Sequence, residues 1–171
     1  YGDESWMDKS IAQMTDQFYL TIDLDVQRAT TFEPVPDDRD FARWVDAALQ
    51  DRKQAAVTVR IVGRDESRRL NRRYRGKDTA TNVLSFPADL PPEIGLPLLG
   101  DLVICAPLVD AEAAAQQKPV DAHWAHLTIH GVLHLLGYDH QAPDQAAEME
   151  ALEISLLASV GIADPYAAPE A

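Results

Sequence analysis

The chain has 171 residues, 46% of them hydrophobic, and carries a formal net charge of −13. That length suits one domain with a core of its own, and no apolar run approaches the roughly 20 residues of a membrane span. The N-terminus shows no charged-then-apolar leader and Cys105 is the single cysteine, so a cytoplasmic protein with no disulfide and no membrane contact is expected.

Residues Tyr1 to Gln17 have no convincing period and read as an N-terminal extension. A domain is expected over 18–166, followed by a short tail, 167–171. Phe18 to Val26 mixes aromatic and β-branched residues and partly alternates, which predicts a strand. Pro34 and Pro36 mark a loop, after which Asp37 or Asp38 can cap a helix running to about Gln50. Its apolar stripe is Phe41, Trp44, Val45, Ala48 and Leu49. Val57 to Val62 reads as a second strand ended by Gly63. Asp65 is placed as the cap of a short helix to about Tyr74, and Arg75 to Ala80 as a charged loop. Asn82 to Phe86 reads as a third strand, stopped by Pro87, and Asp89 to Gly100 as a long proline-bearing loop. A fourth strand is expected over Asp101–Ala106, with Cys105 in it as a buried small hydrophobe.

Pro107 suits the first turn of a helix to about Gln117. Pro119 breaks it and leads into a helix over about Asp121–Leu136. Pro143 opens the last helix, in which Met149, Leu152, Leu156 and Val160 form the expected buried stripe, ended by Gly161. Strands come mainly early and helices late. The pattern predicts a single α+β domain: a mixed four-stranded sheet packed with about five helices.

Charge is unevenly spread. Arg60, Arg64, Arg68, Arg69, Arg72, Arg73, Arg75 and Lys77 are eight of the fifteen basic residues, whereas no Lys or Arg follows Pro119. Such asymmetry gives one basic surface on an acidic body, and it is also what a solvated helix face looks like. The net charge argues against general nucleic-acid affinity, and no DNA partner is expected.

The most informative stretch runs from His130 to His140: His-Gly-Val-Leu-His-Leu-Leu-Gly-Tyr-Asp-His. His130 and His134 are four apart, which puts them on one helix face with Cβ atoms about 5–6 Å apart. Gly137 can end the helix with a left-handed backbone and let the chain return His140 to the same place. Three neutral imidazoles at about 2.0–2.1 Å would leave a tetrahedral zinc with one open position, the layout of a catalytic site. His126 also lies four residues from His130, but it is about 12 Å of helix rise from His134. It is assigned to a supporting or core role, and His130, His134 and His140 to the metal. Asp139 either orients a ligand imidazole or belongs to the turn. The offsets are those of a metzincin helix, where a Glu follows the first His as general base. Here that position is Gly131, which cannot accept a proton.

The same motif resembles the signature of the YbeY family, bacterial endoribonucleases and ribosomal RNA maturation factors. Tyr74-Arg75-Gly76-Lys77-Asp78, the segment from Thr81 to Pro87, Gly100 to Ile104 and the closing Gly161 to Tyr166 resemble it too, in the expected order. The resemblance implies a metal-dependent endoribonuclease acting on single-stranded RNA. It implies a place in maturation of the 3′ end of 16S rRNA and in ribosome quality control. Precursor 16S rRNA, the small ribosomal subunit and its assembly factors would be the partners. It implies one Zn²⁺ per chain, although three His also suit nickel. Arg75 matches the family's functional arginine and is expected to act with His130 in catalysis; its plainer role is a surface salt bridge with Asp78. Arg68, Arg69, Arg72, Arg73, Arg75 and Lys77 become candidate RNA contacts. Two other functions compete: a metallopeptidase of metzincin-like layout, and a non-catalytic ribosome-assembly factor with a structural zinc.

Overall fold

Alternating and apolar runs need partners to satisfy their backbones, and here they find them in one sheet. The computed structural model describes residues 22–50, 52, 54–88, 98–139 and 141–167. Strands β1 (Ile22–Arg28), β2 (Ala55–Val62), β3 (Val83–Pro87) and β4 (Leu98–Cys105) lie in the order β1-β2-β4-β3. β1 pairs parallel with β2 and β2 parallel with β4, while β3 runs antiparallel to β4 at the edge. The expected extension over 1–17, the start of the strand expected from Phe18, residues 89–97 of the long loop, His140 and the tail beyond Ala167 lie outside the described residues.

Five helices complete the described chain: α1 (Asp38–Leu49), α2 (Arg64–Arg75), α3 (Ala106–Ala115), α4 (Val120–Leu135) and α5 (Pro143–Ser159). Asp37 caps α1, accepting from the Asp40 amide at 2.9 Å, and the helix buries the five apolar residues its spacing singles out. Phe41 meets Trp44 and Trp124 edge-on, with centroids 5.6 and 5.8 Å apart. α1 and α4 thereby share one core with Val57, Val59, Ile61, Leu102 and Ile104 of the sheet. On the opposite face Leu70 of α2 packs on Val62, Leu84, Val103 and Cys105. The result is a single α+β domain whose mixed sheet has helices on both faces.

Four local expectations need correction. β4 begins at Leu98, inside the loop expected to run to Gly100, and ends at Cys105, with Ala106 already in α3. α2 begins two residues earlier than expected: Gly63 occupies its cap and gives no side-chain bond, so Asp65 is a first-turn residue complementing the helix dipole. The same helix continues through Arg75, which is therefore not in a loop; Gly76 closes it, its amide reaching Arg72 O at 3.1 Å. The buried face of α5 is Met149, Glu153 and Leu157, with Leu152, Leu156 and Val160 half-buried beside it. A carboxylate inside an apolar helix face demands partners, and those partners are what make the site.

α4 is the central element. It is buried on almost every side, and the half-open positions line up as His126, His130 and His134. Gly131 allows the close approach of α4 to the sheet. A Cβ there would lie 2.8 Å from Leu102 Cδ2 and 3.4 Å from Ser85 Oγ. At the other end Tyr138 N donates to Leu133 O and Gly137 N to His134 O, both at 3.0 Å, with Gly137 at φ +100°. This is the two-bond helix stop that favours glycine.

Candidate metal centre

Two imidazoles four apart on a helix are neighbours, but sharing an ion also requires that their nitrogens converge. They do. Nε2 of His130 and Nε2 of His134 are 3.1 Å apart, the rings inclined at 79°. Two nitrogens bound tetrahedrally to one zinc at about 2.0–2.1 Å sit about 3.3 Å apart, so the pair fits such an ion with little adjustment.

The other nitrogen of His130 is held from α5. Its Nδ1 lies 2.5 Å from Glu153 Oε1, and Glu153 is 1% exposed. Oε2 of the same carboxylate is 3.0 Å from His126 Nε2 and accepts a short hydrogen bond from the Tyr166 hydroxyl. Burial would raise the Glu153 pKa, but the hydrogen bonds from His126, His130 and Tyr166 outweigh it and bring it down to about 2. Burial, reinforced by that carboxylate, pushes the Tyr166 phenol well above its usual range.

His126, His130 and Glu153 form a second grouping that could hold a metal ion, with ligand atoms within 4.8 Å of one another. The two groupings share His130. The 2.5 Å contact to Glu153 is a hydrogen-bond distance, shorter than two ligands of one ion normally approach, whereas the 3.1 Å contact to His134 suits both. His123 belongs to neither. It is buried, with Nε2 on Glu112 at 2.9 Å, and Glu112 also accepts from Asn82, tying α3, α4 and the start of β3 together. Burial chiefly lowers the His123 pKa, against the pull of Glu112.

Arg75 stands where the free edge of the sheet meets α4. Its Nη2 donates to Ser85 O at 2.9 Å, and Ser85 Oγ in turn donates to Gly131 O at 3.2 Å, next to His130. The guanidinium lies 6.0 Å from the Phe86 ring. Asp78, the expected salt-bridge partner of Arg75, pairs instead with Arg68 through two bonds of 2.8 and 3.0 Å. Arg69 lies 4.0 Å from Glu66, Arg73 is 5.4 Å over the Tyr74 ring, and Arg72, Arg73 and Lys77 are exposed. Arg60 is not part of this surface: it is bound by Glu66 of α2 and by Gln27 of the neighbouring strand β1. Asp139 is half-buried just beyond Gly137.

A family model described as endoribonuclease YbeY matches residues 26–161. The chain belongs to the YbeY endoribonuclease family. A curated YbeY endoribonuclease of Cellvibrio japonicus is 56% identical over 147 residues, covering 85% of this chain and 82% of that protein. One of Pseudomonas entomophila is 57% identical over 151 residues, 87% and 96% of the two chains. Among solved structures, a solution structure from Thermotoga maritima matches with a TM-score of 0.51 at 20% identity, over 84% of this chain and 99% of that one. That likeness supports the fold alone. The YbeY motif points directly to His130 and His134. Nothing in the sequence points to Glu153, because a glutamate on an amphipathic helix gives no sign of facing inward.

Proposed function

We propose that this YbeY family member is a metal-dependent endoribonuclease that cuts single-stranded RNA. The observation that carries the metal dependence is the 3.1 Å convergence of His130 and His134 Nε2 near the end of their helix. His130, His134 and His140 would hold the ion, Zn²⁺ being the first expectation and nickel a fit to the same donors. Bound there, the metal supplies Lewis acidity toward a phosphoryl oxygen or its water.

The chain's own groups do the rest. Arg75 uses its planar fork to bind two phosphate oxygens and hold the charge that grows there, with its other contact, Ser85 O, fixing its reach. His130 acts as a ligand and sets the geometry of the reacting group. The exposed Arg72, Arg73 and Lys77, with Arg68 and Arg69, bind the RNA backbone and keep it on the one basic surface of an acidic protein. Asp139 and His126 support the ligands from outside. A peptidase mechanism lacks its base, because a side chain at position 131 would run into Leu102 of the sheet.

The natural substrate on this reading is precursor 16S rRNA, cut in maturation of its 3′ end and in ribosome quality control, in the cytoplasm and with the small subunit and its assembly factors as partners. No helix of the described residues is long and apolar enough to cross a membrane. The test is single-turnover cleavage of a single-stranded RNA by metal-replete, chelated and metal-restored protein. Cleavage lost on chelation and regained with Zn²⁺ is the expected result. Cleavage indifferent to chelation, or chelator-sensitive proteolysis without RNA cleavage, would overturn it.

A further inference from the structure

Glu153 is the one acidic residue among the described residues whose side chain is fully enclosed, and it is enclosed against a ligand of the proposed metal centre. Its two oxygens are divided. Oε1 takes Nδ1 of His130; Oε2 takes Nε2 of His126 and the hydroxyl of Tyr166. With a carboxylate on Nδ1, the ring's proton is held there, and the lone pair of Nε2 is left facing His134 Nε2. An imidazole with the opposite tautomer would present N–H where the ion belongs.

Tyr166 reaches Glu153 from the C-terminal segment. The Asp164 side chain accepts from the Tyr166 amide at 2.8 Å, and Lys118 at the head of α4 donates to Pro165 O at 2.6 Å. The segment is thus fastened to both helices, with the Tyr166 ring edge-on to His126 at 5.4 Å. Tyr166 as a whole is 47% exposed, so the segment brings its hydroxyl to Glu153 without building a core.

From this geometry we infer that Glu153 is a positioning residue of the metal centre, and that Tyr166 holds it in register from the C-terminal segment. The inference rests on the proposed metal reading and extends it: a residue well beyond His134 in the chain, contributing no ligand, tunes metal affinity. The carboxylate fixes the tautomer and orientation of His130 and raises its basicity, and the tyrosine prevents the carboxylate from swinging away.

The test is Zn²⁺ affinity of the full chain, measured by competition with a chromophoric chelator, together with the visible spectrum of the Co²⁺-loaded protein. Glu153→Gln keeps the shape and an acceptor for Nδ1–H but loses the charge; it should weaken Zn²⁺ binding about 10- to 100-fold. Tyr166→Phe removes the hydroxyl that bonds Glu153 and His126 and should weaken it about 3- to 10-fold. Stoichiometry should remain one in both, and the Co²⁺ spectrum should shift in both. If Glu153→Gln does not fold, Tyr166→Phe decides. Wild-type affinity and spectrum in the folded variants would overturn the inference and leave the metal reading standing. Loss of all binding in Glu153→Gln with normal binding in His134→Ala would make Glu153 a ligand and overturn it too. A wild-type protein that binds no Zn²⁺ would overturn the metal reading, and this inference with it.

Discussion

At the scale of single residues, Arg75 and Gly131 carry the sharpest expectations. Arg75 is exposed and anchored by one bond to Ser85 O, so its removal should leave stability near wild type. If it holds charge on the phosphate, Arg75→Ala should lower single-turnover RNA cleavage about 10²–10³-fold with metal content intact. Arg75→Lys should recover only part, since an ammonium cannot reproduce the fork. Unchanged cleavage in metal-replete Arg75→Ala would remove it from the chemistry. Gly131→Glu, which restores the metzincin base in sequence, should instead destabilise the fold by at least about 3 kcal/mol, because it drives a charge against buried Leu102. Denaturant unfolding measures the first effect, and a peptidase assay should remain blank. Such residues differ in how plainly the sequence announces them. The histidines reveal themselves by spacing, and Arg75 by its motif. Glu153 does not, because Met149, Leu152, Leu156 and Val160 form an equally good apolar stripe, and only the packed structure shows that the face is rotated to include a carboxylate.

At the scale of elements, β4 and α2 each yield a measurable consequence. Asp101 on β4 is pushed up to about 6, chiefly by burial, with Asp25 adding to it and a hydrogen bond from Thr58 opposing. Its Oδ1 has no hydrogen-bond partner among the described residues. An unfolded Asp titrates near 3.9, so between about pH 4 and 6 the folded protein holds a proton that the unfolded chain has lost. The associated stability is present below about pH 4 and is lost as pH rises through about 6. Asp101→Asn should therefore stabilise the protein by about 1–2 kcal/mol at pH 7–8 and by little at pH 4; an equal effect at both would refute the assignment. On α2, Arg68, Arg72 and Arg73 are exposed and Arg69 lies half-buried beside Glu66, so the four together should carry the binding to the RNA backbone. Each phosphate that is no longer neutralised should flatten the slope of log affinity against log salt by about 0.7. Neutralising Arg68, Arg69, Arg72 and Arg73 together should flatten it, and an unchanged slope would mark all four as ordinary solvated surface. The extent of α2 is harder to read than its existence. A polar helix with no side-chain cap gives weak boundaries, so Arg75 reads as loop although it is the last helical residue.

At the scale of the whole molecule, most of the fold follows from periodicity. The helical stripe of α1 and the apolar run of β2 predict both their structure and their inward faces. β1 and β2, with α1 between them in the chain, pair in parallel. The antiparallel placement of β3 at the edge, beside β4, depends on tertiary packing and has no comparable local sign. The same division holds for the site. His130 and His134 are a local motif, whereas the turn of His126 toward Glu153 and Tyr166 joins three separate parts of the chain. The central claim is that one ion, shared by His130 and His134, is required for RNA cleavage. It is tested most directly by measuring bound metal per chain and cleavage of single-stranded RNA in the same samples of wild type, His134→Ala and His126→Ala, before and after chelation. About one ion is expected in wild type and in His126→Ala, little in His134→Ala, and cleavage that follows the ion through removal and restoration. Full metal and full cleavage in His134→Ala, or their loss in His126→Ala alone, would contradict it.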